Sequence, residues 1–181
     1  VEAAVCEPLS CTYNSWRMLR TIPGDTVLVI GAGPIGACHV MINRLAGASK
    51  IIVADVSDVR LREIRQHGAD VVVNSSNEDL AAFIAKETGG RGCDVVITAC
   101  SVPQVQTQSL AYAAPHGRIN FFGGMPAGKE NVTLNTNLIH YKELVVLGTT
   151  GSTLSDFLKS FEIAASGRVT LGALAPGLFS L

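Results

Sequence analysis

The run Val27-Leu28-Val29-Ile30-Gly31-Ala32-Gly33-Pro34-Ile35-Gly36 constrains the fold more than any other stretch. Four apolar, mostly β-branched residues lead straight into three glycines, and Ala37 to Leu45 reads as a helix. A strand that turns at once into a helix is the setting in which G-x-G-x-x-G spacing carries meaning. Gly31 permits the tight turn out of the strand, Gly33 lets the backbone approach a pyrophosphate, and Gly36 lets the helix lie close on the sheet. The helix start then offers N–H groups and the positive end of its dipole to phosphate oxygens.

The rest of the chain repeats the alternation. After a lead at 1–5, a helix is expected from Glu7-Pro8-Leu9 to Arg20, with proline suited to the first helical position. Further strands are predicted at Lys50–Ala54, running into Asp55, and at Val71–Val73, Asp94–Thr98, Arg118–Phe122 and Leu144–Leu147. Helices are predicted over Ser57–His67, Glu78–Glu87, Val102–Ala113 and Leu154–Ala165, with a helical turn over Asn137–Lys142 and a short strand or turn around Val132–Leu134. Strand–helix alternation of this kind builds a parallel sheet with helices on both faces and right-handed crossovers. Two βαβαβ halves give a doubly wound, six-stranded Rossmann α/β sheet in the order 3-2-1-4-5-6. Its ligand crevice lies beyond the C-terminal ends of strands one and four.

Composition narrows the function classes. A net charge of −1 with 16% charged residues provides no basic footprint for nucleic acid, and no run is long enough to span a membrane. The five cysteines, Cys6, Cys11, Cys38, Cys93 and Cys100, are odd in number and contain no C-x-x-C, which suits a reducing, cytoplasmic setting. Cys6 and Cys11 are poorly spaced for a zinc site of their own. His39, His67, His116 and His140 are scattered without metal spacing and read as surface or helix-end residues.

Asp55 stands 19 positions after Gly36, close to the offset of about 20 at which an acid ends the second strand of a dinucleotide fold. Its carboxylate can accept from both adenosine ribose hydroxyls and would repel a 2′-phosphate, so NAD is favoured over NADP. A plain helix cap before Val56-Ser57 is the simpler use of the same residue. Arg60 suits either a solvated first helical turn or a cation–π contact over the adenine. At the strand ends, Thr98-Ala99-Cys100-Ser101, Phe122-Gly123-Gly124 and Leu147-Gly148-Thr149 place small residues where a cofactor would pass.

Taken together, Glu7-Pro8-Leu9, the Val29-to-Gly36 block, Asp55 with Arg60, Gly117-Arg118-Ile119 to Gly123-Gly124, and Lys142-Glu143-Leu144 to Gly148 resemble the medium-chain, zinc-dependent alcohol and polyol dehydrogenases. The resemblance runs from about Glu7 to Thr170 and is nearest in style to the sorbitol, threonine and galactitol-phosphate types. It implies that Gly31, Gly33, Pro34, Ile35 and Gly36 hold the pyrophosphate, and that Asp55 and Arg60 meet the adenosine ribose. Phe122, Gly123 and Thr149 would then hold the nicotinamide, with Ala99 at the neighbouring strand end. Glu7 matches a glutamate at or beside the catalytic zinc of polyol-type members, while its local reading is a first-turn acid complementing the helix dipole.

The resemblance also implies a division of the protein. Residues 1–20 would be a linker helix from an N-terminal catalytic domain that precedes Val1. Residues 21–169 would be the NAD-binding domain, and 170–181, ending in Phe179-Ser180-Leu181, the start of a return to the catalytic domain. Zinc and the proton relay would belong to that other domain, so no catalytic residue is expected in this chain and zinc only in the full-length enzyme. Gly151 and Ser152 stand where polyol-type members often carry an arginine, which speaks against a sugar-alcohol substrate. The expected activity is hydride transfer between NAD and a secondary alcohol or polyol, in a homodimer or tetramer joined at the edge of strand six. The alternatives are a non-catalytic NAD-binding module and a methyltransferase. A short-chain reductase is disfavoured because no Tyr-x-x-x-Lys pair occurs: Tyr141 is followed directly by Lys142.

Overall fold

A computed structural model describes residues 2–175. A 3-10 turn, Glu2–Val5, enters helix α1, Cys6–Leu19. Then follow β1 (Thr26–Ile30), α2 (Pro34–Leu45), β2 (Lys50–Asp55), α3 (Asp58–Ile64), β3 (Val71–Asn74) and α4 (Leu80–Glu87). The second half holds β4 (Cys93–Thr98), α5 (Pro103–Tyr112), β5 (Ala113–Phe121), α6 (Thr136–Lys142), β6 (Val145–Gly148) and α7 (Leu154–Ala165). Among the described residues the six strands form one sheet, ordered β3-β2-β1-β4-β5-β6, as the sequence predicts. Every pairing is parallel, and the antiparallel strand pair of a methyltransferase sheet is not found among the described residues.

Strands buried on both faces read as unbroken apolar runs, and β1 does so because helices cover it above and below. Val27 and Val29 join Ile51, Val53, Val95 and Ile97 on one face, under α1, α2 and α3. Leu28 and Ile30 join Ile52, Ala54, Val96 and Ile119 on the other, under α4 and α5. A third apolar cluster, with Leu9, Cys38, Met41, Ile42, Val169 and Leu171, joins α1 to the outer side of α2. α2 is therefore covered both by the sheet and by α1.

Several boundaries differ from the sequence reading for local reasons. α1 begins at Cys6, so Pro8 lies inside the first turn, where its missing N–H leaves no bond unmade. The helix predicted over Ser57–His67 is α3 followed by a 3-10 turn, Arg65–His67, with the Ser57 hydroxyl accepting from the Arg60 N–H at 3.5 Å. α4 starts at Leu80 because Asp79 serves as its cap, accepting from Ala82 N–H at 3.0 Å. β5 begins at Ala113 rather than Arg118. Cys93 pairs with Ala113 and Val95 with Arg118, so β5 carries a bulge in which His116 takes φ 60°. Val132–Leu134 has no regular structure. The tail forms a 3-10 turn at Gly172–Leu174, while the Phe179-Ser180-Leu181 expectation lies outside the described residues. Among the described residues no helix is long and apolar enough to cross a membrane.

Candidate functional site: the glycine turn and the strand ends

Strand β1 delivers the glycine turn to the sheet's C-terminal edge. Gly31 N–H donates to the Ala54 carbonyl at 2.8 Å, and its φ of 119° is one that side chains rarely adopt. A Cβ there would stand 2.6 Å from the Ala99 carbonyl oxygen, and one at Gly36 would stand 1.9 Å from the Gly31 oxygen. Both glycines are demanded by the protein's own backbone. Gly33 is different: a Cβ there meets nothing within 4 Å, so the space above it is open to a ligand. Pro34 takes the first position of α2 and is exposed, Ile35 is half-buried, and no side chain caps the helix start. Orphan N–H groups of this kind suit an anion.

Asp55 ends β2 beside this turn. Ala32 N–H donates to its Oδ2 at 2.7 Å and Ser57 N–H to its Oδ1 at 2.9 Å, with the residue only 9% exposed. Each oxygen keeps a further lone pair, so the carboxylate can still accept from a pair of hydroxyls. Arg60 is exposed on α3 and lines a hollow of about 320 Å³ together with Ala32, Gly33, Pro34 and Leu174. A cleft of about 520 Å³ opens on the other side of β1, lined by Ile30, Ser75, Val102 and Val105. Val56 and Val102 lie at these strand ends 67% and 48% exposed. Neither is among the site residues expected from the sequence, where the signal is a lone valine just beyond a strand end, next to an acid or a serine.

At the next crossing, Ala99 N–H donates to the Ile30 carbonyl and Gly123 N–H to the Thr98 carbonyl, each at 2.8 Å. A Cβ on Gly123 would come within 2.3 Å of the Cys100 oxygen, so this position also requires glycine. Phe122 packs against the α2 side of the sheet, its ring 4.5 Å from that of His39 and nearly perpendicular to it. Thr149, just beyond β6, accepts at Oγ1 from Asn120 Nδ2 at 2.8 Å. Phe122, Gly123 and Thr149 are all half-buried. The structure thus brings the predicted residues into two groups along one edge: the turn with Asp55 and Arg60, and the strand ends Ala99, Phe122, Gly123 and Thr149.

His39 corrects the expectation of a surface or helix-end residue. It is wholly buried in α2, and neither ring nitrogen has a hydrogen-bond partner. Burial pushes its pKa down to about 3, so the ring is neutral at ordinary pH. The apolar run of Ala37, Cys38, Val40, Met41 and Ile42 around it is the signal of a helix covered on both sides. Cys38 and Cys93 are buried too, and burial pushes each thiol up to about 12.

Glu7 is exposed in the first turn of α1, where Cys11 Sγ donates to its Oε1 at 3.4 Å. Ser10 and Ser152 share a hydrogen bond of 2.7 Å, and Asn14 Nδ2 donates to the Gly151 carbonyl at 3.1 Å. α1 is thereby fastened to the loop after β6. Among the described residues no group of three or more His, Cys, Asp or Glu side chains converges.

Comparison with known proteins agrees with this geometry. Residues 34–166 match the family described as zinc-binding dehydrogenase. The chain is 37% identical over 149 residues to L-threonine 3-dehydrogenase of Pyrococcus abyssi (strain GE5 / Orsay), covering 82% of this chain and 42% of that protein. It is 31% identical over 184 residues to D-xylulose reductase A of Aspergillus oryzae (strain ATCC 42149 / RIB 40), covering 99% of this chain and 50% of that protein. A crystal structure from Sinorhizobium meliloti 1021, described as a zinc-binding dehydrogenase bound to NADP, superposes with a TM-score of 0.88 at 30% identity, over 94% of this chain and 50% of that one. An alcohol dehydrogenase from E. coli CFT073 complexed with NADH superposes with a TM-score of 0.86 at 27% identity, over 94% of this chain and 49% of that one. The chain spans about half the length of the curated relatives it matches. On a match covering most of its residues, over a sheet of the expected order, the chain belongs to the zinc-binding dehydrogenase family.

Proposed function

We propose that this chain is the NAD-binding part of a dehydrogenase that moves a hydride between NAD and a secondary alcohol or polyol. The observation that carries the reading is Asp55, fixed by Ala32 N–H and Ser57 N–H at the lip of the glycine turn. A carboxylate held there accepts from ribose hydroxyls and repels a 2′-phosphate. One relative was solved with NADP and another with NADH, so the fold leaves the choice of cofactor open and Asp55 argues for NAD.

In this reading Gly31, Gly33, Pro34, Ile35 and Gly36 receive the pyrophosphate. Asp55 and Arg60 meet the adenosine ribose, and Val56 and Val102 flank the adenine. Ala99, Phe122, Gly123 and Thr149 surround the nicotinamide half. The nicotinamide ring, when bound, supplies the hydride acceptor or donor, and the chain's own part is to orient it and keep water away. Residues 1–20 and 170–181 connect to a second domain that selects and activates the alcohol. Glu7 stays exposed at the start of α1. We further propose a cytoplasmic enzyme, whose five cysteines form no disulfide, that self-associates along the edge of β6.

Calorimetric titration tests the cofactor assignment. NAD(H) is expected to bind at least tenfold more tightly than NADP(H), a difference of about 1.4 kcal/mol. Equal affinities would contradict the role given to Asp55.

A further inference from the structure

We propose that Asn120 is a positioning residue for the nicotinamide half of the site, acting through Thr149; this rests on the dinucleotide reading above. Asn120 lies on β5 opposite Leu147 of β6, and is completely buried. Its side chain faces the α1 and α2 side of the sheet. Nδ2 donates to Ser15 Oγ on α1 at 2.6 Å and to Thr149 Oγ1 at 2.8 Å. Both amide hydrogens are therefore used, one on a helix and one on the strand end. The Thr149 hydroxyl accepts from Asn120 and so keeps its own hydrogen to donate elsewhere.

The arrangement is costly in one respect. Asn120 Oδ1 is buried without a partner. A leucine would fill similar space without burying an unpaired acceptor, at the cost of the bonds to Ser15 and Thr149. The asparagine is therefore poorly explained by packing alone. What it supplies is a fixed span from the rigid body of α1 to a half-buried residue at the cofactor edge. Its other neighbours place it at the same end: Phe122 follows two positions later, on the same face, with its ring against His39. The loop beyond Thr149 is fastened to the same helix by the Ser10–Ser152 and Asn14–Gly151 bonds. Asn120 is buried, like Ser10 and Ser15 of this set, and it touches the one residue of the loop that the dinucleotide reading puts beside the nicotinamide.

Such a residue acts on half of the ligand. Removing it leaves the glycine turn and Asp55 unchanged, so the adenosine diphosphate part should bind as before while the nicotinamide part loses its seat. The experiment compares NADH with ADP-ribose, which lacks the nicotinamide, as ligands for the chain and for Asn120→Leu and Ser15→Ala. The loss of an oriented hydrogen bond worth about 1.4 kcal/mol corresponds to about tenfold in affinity. NADH is expected to bind about tenfold more weakly to Asn120→Leu and more weakly to Ser15→Ala as well, with ADP-ribose within about twofold of the parent in both. The Ser15→Ala arm keeps the test decisive should Asn120→Leu fail to fold. Unchanged NADH affinity, or an equal loss for ADP-ribose and NADH, would overturn the positioning role. If the parent chain binds ADP-ribose and NADH and only the selective loss is absent, the dinucleotide reading stands and this inference falls. If the parent binds neither, both fall.

Discussion

His39 gives up hydration on both ring nitrogens and gains an edge contact with Phe122. An unpaired buried polar group costs about 1–3 kcal/mol, whereas an aromatic pair returns about 0.5–1.5 kcal/mol, so the exchange is unfavourable on balance. It is also pH-dependent. The unfolded histidine takes up a proton near its ordinary 6.5, the folded one only near 3, so between these values the unfolded state binds the extra proton. Stability is full above about pH 6.5 and falls as pH drops toward 3, by up to about 1.4 kcal/mol per pH unit. Half-buried His67, held below its ordinary value by burial against an opposing effect of Glu63, adds a smaller contribution of the same sign. The carboxyl of Asp94 feels burial, which raises its pKa, but bonds from Arg91 and Thr26 N–H outweigh it and hold it low, so its loss falls below the histidine range. Urea midpoints measured from pH 7.5 to 4.5 should therefore decline for the parent chain and decline less for His39→Leu. The same slope in both would show that His39 is not the group being protonated.

The turn between β1 and α2 separates two uses of glycine. A Cβ at Gly36 would press on the Gly31 oxygen, so Gly36→Ala must push α2 off the turn; overpacking of this kind costs about 1–3 kcal/mol or more. A Cβ at Gly33 meets nothing, so Gly33→Ala should change stability by no more than about 1 kcal/mol, the range of a helix-cap exchange. On the proposed reading its methyl fills the space that receives the pyrophosphate. Thermal melts with and without NADH should show Gly36→Ala destabilised without ligand, and Gly33→Ala near the parent without ligand but no longer stabilised by NADH. Equal NADH stabilisation in Gly33→Ala and the parent would place the phosphates elsewhere. Elements of this sort are legible in the sequence because their signals are local: apolar run, glycines and helix over 27–45. β5 was less legible. Its start depends on how Ala113 and Arg118 pair with β4, and its bulge is held by distant groups, such as Lys142 Nζ donating to the Ala113 carbonyl at 2.7 Å. The Ser15–Asn120–Thr149 set was hidden for the same reason, since its members come from three separate elements.

Across the whole molecule, the two edges of the sheet are unlike. β3 keeps Val73 buried and its other residues half-buried, whereas β6 leaves Val145 52% exposed, with Tyr141 just before it 79% exposed. An edge strand with exposed apolar residues and unpaired backbone groups is a template for another strand. Sedimentation at rising concentration should show a dimer that Val145→Lys weakens; a monomer throughout would remove the proposed edge contact. Whether the turn and Asp55 seat a nicotinamide dinucleotide across this sheet edge is tested most directly by a crystal structure of the chain with NADH. The expected structure has the pyrophosphate over Gly33 at the start of α2, the adenosine ribose hydroxyls on the Asp55 carboxylate, and the nicotinamide beside Phe122 and Thr149. NADH bound away from the glycine turn, or with its adenosine ribose out of reach of Asp55, would contradict it.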